Sequence, residues 1–380
     1  MSPSSAMWVF FGCAAVIAYI LAGYPLLLAW LSKRGECPIQ RSPNLKTVTV
    51  LLAVHNGAPF LRQKLRTLAE LDYPSDLVNT LVISDGSTDE TDEIARNAGP
   101  GVELIRLEHQ GKASALNAGI ARATGEILLF TDVRQPLDPA ALRRLVECFA
   151  DARVGVASGE LLILAGDNRA QVDIGVYRRY ENWIRSRLSR LDSIFGATGC
   201  LYAMRRDLAE RMPPDTLLDD VYLPIRAFFR GYRLIFEERA HAFDYPTNLD
   251  SEFRRKVRTL AGNYQILRAF PGLLGWQNRM WIHFASYKLG RLLLPWLLAG
   301  LAVSSFWLSD GWAWWALGAQ GLCYGLAALD VWIPETWRLK KLSSPVRTFA
   351  VMMLAAACAG AILFVPPRLL WKETTVSPSR

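Results

Sequence analysis

Long stretches without any charged residue constrain the fold of this chain more than any other feature. The four stretches, of 25, 18, 19 and 20 residues, are 7–31, 292–309, 311–329 and 348–367. About 20 apolar residues span the hydrocarbon core of a bilayer. We therefore expect a transmembrane helix within 1–32 and three transmembrane segments within 292–367, followed by a tail over 368–380.

Each apolar stretch has an alternative interpretation besides a membrane span. For the first stretch it is a signal peptide, but residues 1–6 carry no positive charge, and 25 residues exceed the usual apolar core of about 7–15. For the other three it is a buried helical hairpin of a soluble protein. Against it, four tryptophans gather near one end of two stretches, as membrane-interface residues do: Trp307, Trp312, Trp314 and Trp315.

The basic residues indicate an orientation. Lys33 and Arg34 follow the first stretch, and Lys340 and Lys341 lie between the third and fourth, whereas the link around Asp310 has no Lys or Arg. Since cytoplasmic loops collect Lys and Arg, we expect the central region and the 338–347 loop to be cytoplasmic. Four full spans would place the basic tail outside, where it fits poorly, so the number of complete spans stays open.

Composition narrows the class of protein further. The chain has a net charge of +8, which suits anionic lipid and phosphorylated substrates at least as well as nucleic acid, and the apolar stretches argue against nucleic acid as a partner. Its six cysteines form no C-x-x-C pair and three lie in apolar stretches. These features argue against a disulfide scaffold or a zinc site and indicate a reducing compartment.

The central region, 44–270, alternates short apolar runs with helical patterns. The pattern predicts strands at 47–54, 79–85, 102–108, 126–132 and 154–164, with helices between the first four and again at 138–151. Such alternation predicts an α/β domain with a doubly wound, mostly parallel sheet. In these sheets, ligands bind beyond the carboxyl ends of the strands.

Polar clusters follow three of the predicted strands. His55 and Asn56 follow the first, Asp85 ends the second within an Asp-Gly-Ser-Thr-Asp sequence, and Asp132 ends the fourth. A single Asp-Gly-Ser is usually a turn and helix cap, but three polar strand ends at one edge indicate a site for a ribose, a base or a cation bridging phosphates. No G-x-G-x-x-G follows the first strand and no P-loop sequence occurs, so dinucleotide and P-loop sites lack support.

Six motifs follow one another along the chain: VHNGAPFL, VISDGSTDET, HQGKASALNAGIARATGEILLFTD, GATGCLYAMRR, LLDDVYLP and FRRKVRTLAGNYQ. This ordered set resembles the membrane-bound bacterial form of the family 2 glycosyltransferases. The resemblance implies a GT-A fold over 44–270, a place in the bacterial inner membrane, and transfer of a sugar from a nucleotide-diphosphate donor.

The same resemblance implies roles for individual residues. Those it assigns to the nucleotide or diphosphate of the donor are His55, Asn56, Asp85, Lys112, Asn117 and Asp132. It makes Asp220 the general base, which takes the acceptor hydroxyl proton during an inverting transfer, while we interpret the adjacent Asp219 as a helix cap. A basic loop that closes over the donor and meets diphosphate or acceptor would contain Arg255, Arg258 and Gln265.

The D-x-D motif of the family is altered here. Asp132 is its first acid, but Arg134 stands where the second acid, the main metal contact, is expected. Arg134 could itself neutralise the diphosphate without metal. Alternatively, Asp138 or His241 completes a site for a divalent cation, Mg²⁺ or Mn²⁺, with Asp132. Both readings stay open.

Processive synthesis is a further open question. The Gln-x-x-Arg-Trp sequence of cellulose- and hyaluronan-type synthases is absent, since Ala269 follows Arg268 where Trp belongs, and the apolar stretches offer few polar residues for a polymer channel. Segment 271–291 mixes Trp and Tyr with basic residues and predicts an amphipathic helix in the membrane interface. We expect transfer to a lipid-linked or polysaccharide acceptor; the alternatives are a processive exopolysaccharide synthase and a catalytically inactive membrane subunit.

Overall fold

A computed structural model describes residues 2–163, 169–245, 249–308 and 310–364. The predicted tail, 368–380, and the end of the fourth apolar stretch lie outside these residues. The strands are β1 Val48–Val54, β2 Val78–Asp85, β3 Val102–Leu107, β4 Ile127–Phe130, β5 Val154–Ile163, β6 Tyr202–Arg205 and β7 Arg233–Asp244. The helices are α1 Pro3–Ala18, α2 Tyr24–Arg34, α3 Ala58–Ala69, α4 Thr91–Arg96, α5 Lys112–Arg122, α6 Ala141–Glu147, α7 Arg169–Leu191, α8 Asp219–Phe229, α9 Leu249–Ala269, α10 Trp281–Phe284, α11 Gly290–Ser305, α12 Asp310–Leu329 and α13 Lys340–Ala359.

The chain divides into two compact units. The sheet unit contains Gly35–Leu164 and Arg185–Tyr245, and the helical unit contains Met1–Arg34, Ala165–Ile184 and Pro246–Lys372. The predicted domain 44–270 therefore has residues in both units.

The sheet unit is built on one seven-stranded sheet in the order β3-β2-β1-β4-β6-β5-β7. All neighbouring strands are parallel except that β6 runs antiparallel to both β4 and β5. The predicted α/β architecture with a mostly parallel sheet is confirmed. Neither β6 nor β7 is among the strands predicted from the sequence.

The central strands are apolar because helices cover both faces of the sheet. Strand β4 is buried along its whole length, and β1 is buried at six of its seven residues. One apolar cluster includes Leu129, Leu142 and Ala203, and another includes Leu52, Leu61 and Val82. Burial on both faces fixes the strands, and the polar strand ends are thereby held at one edge.

Two helices of the described chain are long and apolar enough to cross a membrane. They are Pro3–Arg34, in which a π-helical turn at Tyr19–Gly23 joins α1 to α2, and Lys340–Leu363. The predicted spans 292–309 and 311–329 correspond to α11 and α12, which are not among these two.

The segment 271–291 differs from the single amphipathic helix that its composition predicts. It contains a 3-10 turn at Pro271–Leu274, the short α10, and a π-helical turn at Ala285–Leu289 that leads into α11. Gly275 has an extended backbone and ends the 3-10 turn. The segment therefore does not form one continuous helix, despite the helical periodicity of its side chains.

The helical unit contains a cluster of charged side chains around Glu181, which we call the Glu181 cluster. Glu181 Oε1 accepts hydrogen bonds from Arg291 Nη1 and Nη2 (2.7 and 2.6 Å) and from the Tyr177 hydroxyl (3.2 Å). Lys256 Nζ lies 3.7 Å from Glu181 Oε2 and 4.5 Å from the centre of the Tyr177 ring. Burial by itself raises the pKa of Glu181, but Lys256, Arg291 and Arg178 outweigh it and lower this pKa below the ordinary value.

Candidate active site

Three parallel strands bring their carboxyl ends to one edge of the sheet. In the register of the sheet, Val54 of β1 is level with Ser84 of β2, and Leu51 of β1 is level with Phe130 of β4. Because β6 runs the other way, its first residue, Tyr202, pairs with Phe130, the last residue of β4. The loop that precedes β6 therefore reaches the same edge.

Asp85 organises the part of this edge at the end of β2. The residue is buried, and its Oδ1 and Oδ2 accept hydrogen bonds from the backbone N–H groups of Gln110 (2.8 Å) and Gly111 (2.9 Å). His55 Nδ1 donates to the Asp85 backbone oxygen (2.7 Å), and His109 Nδ1 lies 3.0 Å from Asp85 Oδ2. The carboxylate thus fixes the loop that leads into α5.

Asn56 joins the ends of β1 and β2. Its φ of 49° lies in the left-handed region, which Asn tolerates better than most residues because its short amide bonds locally. Asn56 Oδ1 accepts from the Thr88 backbone N–H (2.8 Å), and Asn56 N–H donates to Ser87 Oγ (3.1 Å). The predicted nucleotide residues His55, Asn56 and Asp85 are therefore brought together.

A cavity of about 390 Å³ opens beside Asp85. The lining residues are Gly86, Ser87, Thr88, Arg106, Leu107 and Glu108. Gly86 has a φ of +67°, and a side chain there would meet the backbone nitrogen of His109 at 2.7 Å. The cavity thus combines backbone and hydroxyl groups with one Arg and one carboxylate, which are groups that can bind a polar ligand.

His109 is a candidate residue that the sequence analysis missed. Its ring lies 4.3 Å from that of His55, and the ligand atoms of His55, Asp85 and His109 all lie within 4.8 Å of one another. Two imidazoles and a carboxylate at this distance are chemically able to bind a transition metal. The sequence signal that could have identified His109 is its position directly before the Gln-Gly-Lys sequence.

A second group of side chains surrounds Lys112, the first residue of α5. Lys112 Nζ lies 3.0 Å from Asp132 Oδ1 and 3.3 Å from Asp219 Oδ1. Burial alone lowers the pKa of Lys112, but Asp132, Asp219 and Asp220 together raise it well above its ordinary value. We call Asp132, Asp219 and Asp220 the strand-edge acids; their field keeps this ammonium charged.

Asp219 has a different role from the helix cap that we predicted. Leu218 occupies the cap position of α8 and Asp219 is the first helical residue, with no side-chain capping bond. Its carboxylate is buried and faces Lys112 instead. Asp219 Oδ2 has no hydrogen-bond partner among the described residues, so it is a buried acceptor with unused capacity.

Asp220 is half-buried on the first turn of α8, and the loop before β6 packs against it. Ala197 N–H donates to the Asp220 backbone oxygen (2.7 Å), and a Cβ at Gly199 would lie only 3.0 Å from Asp220 Oδ2. Gly199 therefore leaves the space that the carboxylate occupies. Both Asp220 and Asp132 act electrostatically on Lys112.

Arg134 forms an ion pair that its sequence position did not reveal. Its Nη2 lies 2.6 Å from Oδ2 of Asp244, a buried residue at the end of β7, and Gln135 Nε2 donates to the same oxygen (3.0 Å). In this structure Arg134 is thus held by Asp244. The two partners are 110 positions apart, which explains why local sequence could not show the pair.

Asn117 and His241 make contacts away from the strand-edge acids. Asn117 exchanges two hydrogen bonds with the backbone of Met212 (2.8 and 2.9 Å), which anchors the loop before α8. His241 Nε2 donates to the Glu238 backbone oxygen (2.8 Å) and lies 3.8 Å from Glu160 Oε2. The structure does not join His241 to Asp132.

Arg255, Arg258 and Gln265 belong to the helical unit. The prediction that they form a loop is wrong, because all three lie within the 21-residue helix α9. Arg255 pairs with Glu252 one turn earlier on the same helix.

The sequence patterns of two known protein families match this chain. The pattern described as "Glycosyl transferase family 2" matches residues 49–212. The pattern described as "Glycosyl transferase family group 2" matches residues 132–332, more than half of the chain.

Individual relatives agree with these matches. The chain is 25% identical over 246 residues to the probable glycosyltransferase YdaM of Bacillus subtilis, covering 60% of this chain and 57% of that protein. It is 23% identical over 232 residues to the poly-beta-1,6-N-acetyl-D-glucosamine synthase of Staphylococcus aureus, covering 59% and 56%. The matches span little more than half the length of these curated relatives.

One solved structure is similar over nearly its whole length. The mannosyltransferase PcManGT from Pyrobaculum calidifontis, in complex with GDP-Man and Mn²⁺, has a TM-score of 0.71 and 25% identity, and the similarity covers 94% of this chain and 99% of that one. With a mostly parallel sheet whose strand ends carry the predicted acids, the matches show that this chain is an enzyme of the family 2 glycosyltransferases, with the GT-A fold.

Proposed function

We propose that the protein is an integral-membrane inverting glycosyltransferase. It moves a sugar from a nucleotide-diphosphate donor to a hydroxyl of a lipid-linked or polysaccharide acceptor, with its catalytic sheet in the cytoplasm and its apolar helices in the bacterial inner membrane. The observation that carries the proposal is the meeting of the strand-edge acids around Lys112, at the same edge of the sheet as Asp85.

The donor is proposed to occupy the edge from β2 to β4. Asp85, with His55 and Asn56, binds the nucleotide at the cavity, and Lys112 supplies positive charge to the diphosphate. Departure of the diphosphate leaves negative charge, which a fixed ammonium stabilises in a site with little water. Asn117 acts through the backbone of Met212, because its hydrogen bonds fix the loop before α8.

Asp220 is proposed as the general base. As the acceptor hydroxyl attacks the anomeric carbon, a carboxylate within hydrogen-bond reach takes its proton. Asp220 is half-exposed, whereas its neighbour Asp219 is buried against Lys112. Of these two adjacent carboxylates, Asp220 is therefore the one that an acceptor can reach.

A divalent cation, Mg²⁺ or Mn²⁺, is proposed to bind through Asp132 and Asp219. Carboxylate oxygens are the ligands that these cations prefer, and the unpartnered, buried Asp219 Oδ2 offers one. When bound, the cation would neutralise charge on the leaving diphosphate. Arg134, which stands in the position of the second acid, is held by Asp244 and does not add a ligand.

Chelation tests the metal proposal. Activity that is lost in EDTA and restored by Mg²⁺ or Mn²⁺ supports it. Full activity in EDTA overturns it and assigns the positive charge at the diphosphate to Lys112 and Arg134.

The function as a whole is tested by a donor screen on purified protein in nanodiscs. UDP-, GDP- and TDP-sugars are tested for nucleotide release, with and without a membrane lipid extract. Release from one donor that requires lipid supports transfer to a lipid-linked acceptor. No release from any donor, with nucleotide binding retained, contradicts the proposal and favours an inactive membrane subunit.

A processive synthase is the second candidate function. The similarity to the Staphylococcus aureus poly-beta-1,6-N-acetyl-D-glucosamine synthase favours it. Product length separates the two functions, since long polymer made from donor alone supports processive synthesis and a single added sugar excludes it.

A further inference from the structure

A lysine lies fully buried beneath the loop that carries Asp132. Lys64, on α3, is 1% exposed, and its ammonium donates hydrogen bonds to Thr131 Oγ1 (2.7 Å) and to the backbone oxygen of Gln135 (2.6 Å). Among the described residues, no carboxylate lies within 4 Å of it to form an ion pair. Both partners are neutral oxygens, and they lie on either side of Asp132 and Arg134.

This lysine occupies a position where an apolar residue is expected. Leu61, Lys64 and Leu68 follow each other at helical spacing on the buried face of α3. Burying an amino group without a carboxylate partner is unfavourable. Burial accordingly lowers the pKa of Lys64 to about 7, although Cys200 and Asp132 act in the opposite direction. Lys64 thus departs from the rule that the buried face of a helix is apolar. Departures of this kind concentrate at functional sites.

The hydrogen bonds of Lys64 continue beyond its own loop. Thr131, which accepts from Lys64, donates through its hydroxyl to the backbone oxygen of Cys200 (2.8 Å). Cys200 directly follows Gly199, which packs against the Asp220 carboxylate. One buried network therefore connects the loop of Asp132 with the loop that packs on Asp220.

We propose that Lys64 is a positioning residue that holds the Thr131–Gln135 loop, and with it Asp132, in the geometry needed for donor binding. The catalytic consequence rests on the function proposed above. The structural part of the proposal, that Lys64 fixes the loop, does not depend on that function.

Two substitutions remove the hydrogen bonds between Lys64 and the Thr131–Gln135 loop to different degrees. Lys64→Met keeps the length of the side chain but removes both donors. Thr131→Val keeps the shape of its residue but removes the hydroxyl that links Lys64 to Cys200, and it provides a milder variant if Lys64→Met does not fold. Arg62→Met is the matched control, since Arg62 lies on the same helix with 70% of its side chain exposed.

Hydrogen exchange of the backbone N–H groups of 131–135 measures the loop without any ligand. We expect faster exchange there in Lys64→Met and Thr131→Val than in the wild type, and no change in Arg62→Met. Unchanged exchange in both variants would overturn the proposal, whether or not the protein transfers sugar.

Donor kinetics in two backgrounds separate positioning from general destabilisation. We expect Lys64→Met to lower kcat/KM for the donor about 10–100-fold, since a misplacement of about 1 Å can cost roughly 100-fold. The loss should appear mainly in KM, because the loop is proposed to position Asp132 for donor binding. In an Asp132→Asn background the same substitution should cost less than about threefold, because the group that Lys64 positions has been removed. Equal losses in the two backgrounds would show a purely structural lysine.

Equilibrium binding of UDP or GDP replaces kinetics if the wild type releases no nucleotide. The same pattern is then expected in Kd, so a failure of the proposed transferase reaction and a failure of the Lys64 proposal give different results.

Discussion

The edge of the sheet and the Glu181 cluster contain the same kinds of ion in opposite proportions. At the edge, one ammonium, Lys112, faces three carboxylates, and its pKa is raised. In the Glu181 cluster, one carboxylate faces Lys256, Arg291 and Arg178, and its pKa is lowered. In both places the ion in the minority is held in its charged form by the majority.

In each place, one majority ion behaves differently from the minority ion. In the Glu181 cluster, burial and the repulsion from Arg291 and Arg255 outweigh Glu181 and lower the pKa of Lys256 to about 8. At the edge, Asp219 is left with an oxygen that has no partner. Unsatisfied charge or hydrogen-bonding capacity thus remains with Lys256 in the Glu181 cluster and with Asp219 at the edge, and Asp219 is one of the groups we propose to bind the cation.

The largest effect is expected from removing one majority ion at the edge. Asp220→Asn should lower donor turnover roughly 10²–10⁴-fold, the usual contribution of a general base, while the Kd for the nucleotide stays within about twofold because Lys112 keeps Asp132 and Asp219. Nucleotide release and calorimetry measure the two quantities. Asp207→Asn, an exposed residue of the same unit, is the control; wild-type turnover in Asp220→Asn would remove Asp220 as the base.

Asp85→Ala tests the nucleotide side of the edge. It removes the acceptor for the N–H groups of Gln110 and Gly111, and hydrogen bonds to a charged group contribute about 1.5–3 kcal/mol. We expect the Kd for the nucleotide to rise about 10–100-fold, measured by calorimetry. Asp76→Ala, at an exposed site, should leave it unchanged, and an unaltered Kd in Asp85→Ala would refute the assigned role.

Removing the minority ion of the helical unit should affect stability. Glu181→Gln leaves Arg291 and Lys256 facing a neutral amide, and we expect the free energy of unfolding to fall by about 2 kcal/mol, as for a lost hydrogen bond to a charged group. Thermal unfolding in nanodiscs measures this. The exposed Glu335→Gln should change stability by less than about 1 kcal/mol, and an equal effect of the two substitutions would contradict the comparison.

A smaller effect is expected from crowding a majority ion without removing its charge. Gly199→Ala places a Cβ at 3.0 Å from Asp220 Oδ2, so the carboxylate or the loop must shift by a few tenths of an ångström. We expect kcat to fall about tenfold or less with the donor KM unchanged. Gly318→Ala, where no atom lies within 4 Å, is the control; a change in KM alone would place Gly199 at the donor.

Stability should also depend on pH. The pKa of Lys256 is about 8 in the folded protein and 10.5 ordinarily, so between these values the unfolded chain binds more protons. Stability should therefore rise with pH from about 8 to about 10.5, and Lys256→Met should flatten this rise. Unfolding midpoints at several pH values measure it, and an identical slope in the variant would contradict the lowered pKa.

Much of the fold was predictable because its signals are local. The first five strands were found from apolar runs, and the polar strand ends from the residues that follow them. Strand β6 was missed because its place in the sheet and its reversed direction are set by pairing with β4 and β5, which lie far from it in the sequence.

The parts of the site that sequence did not reveal depend on distant partners. Lys112 is separated from Asp219 by more than a hundred residues, and Arg134 from Asp244 by a similar distance. Lys64 was detectable in principle, since a lysine on the apolar face of a helix is a local anomaly.

The positions of the site residues along the chain have a consequence for the order in which the site is made. The residues proposed for nucleotide binding, from His55 to Lys112, are complete before β6 leaves the ribosome, whereas Asp220 follows Lys112 by 108 residues. At about 5–20 residues per second, synthesis of that interval takes roughly 5–20 s. During this time a nascent chain has the nucleotide-side residues but lacks the proposed base, so it cannot yet carry out the proposed transfer.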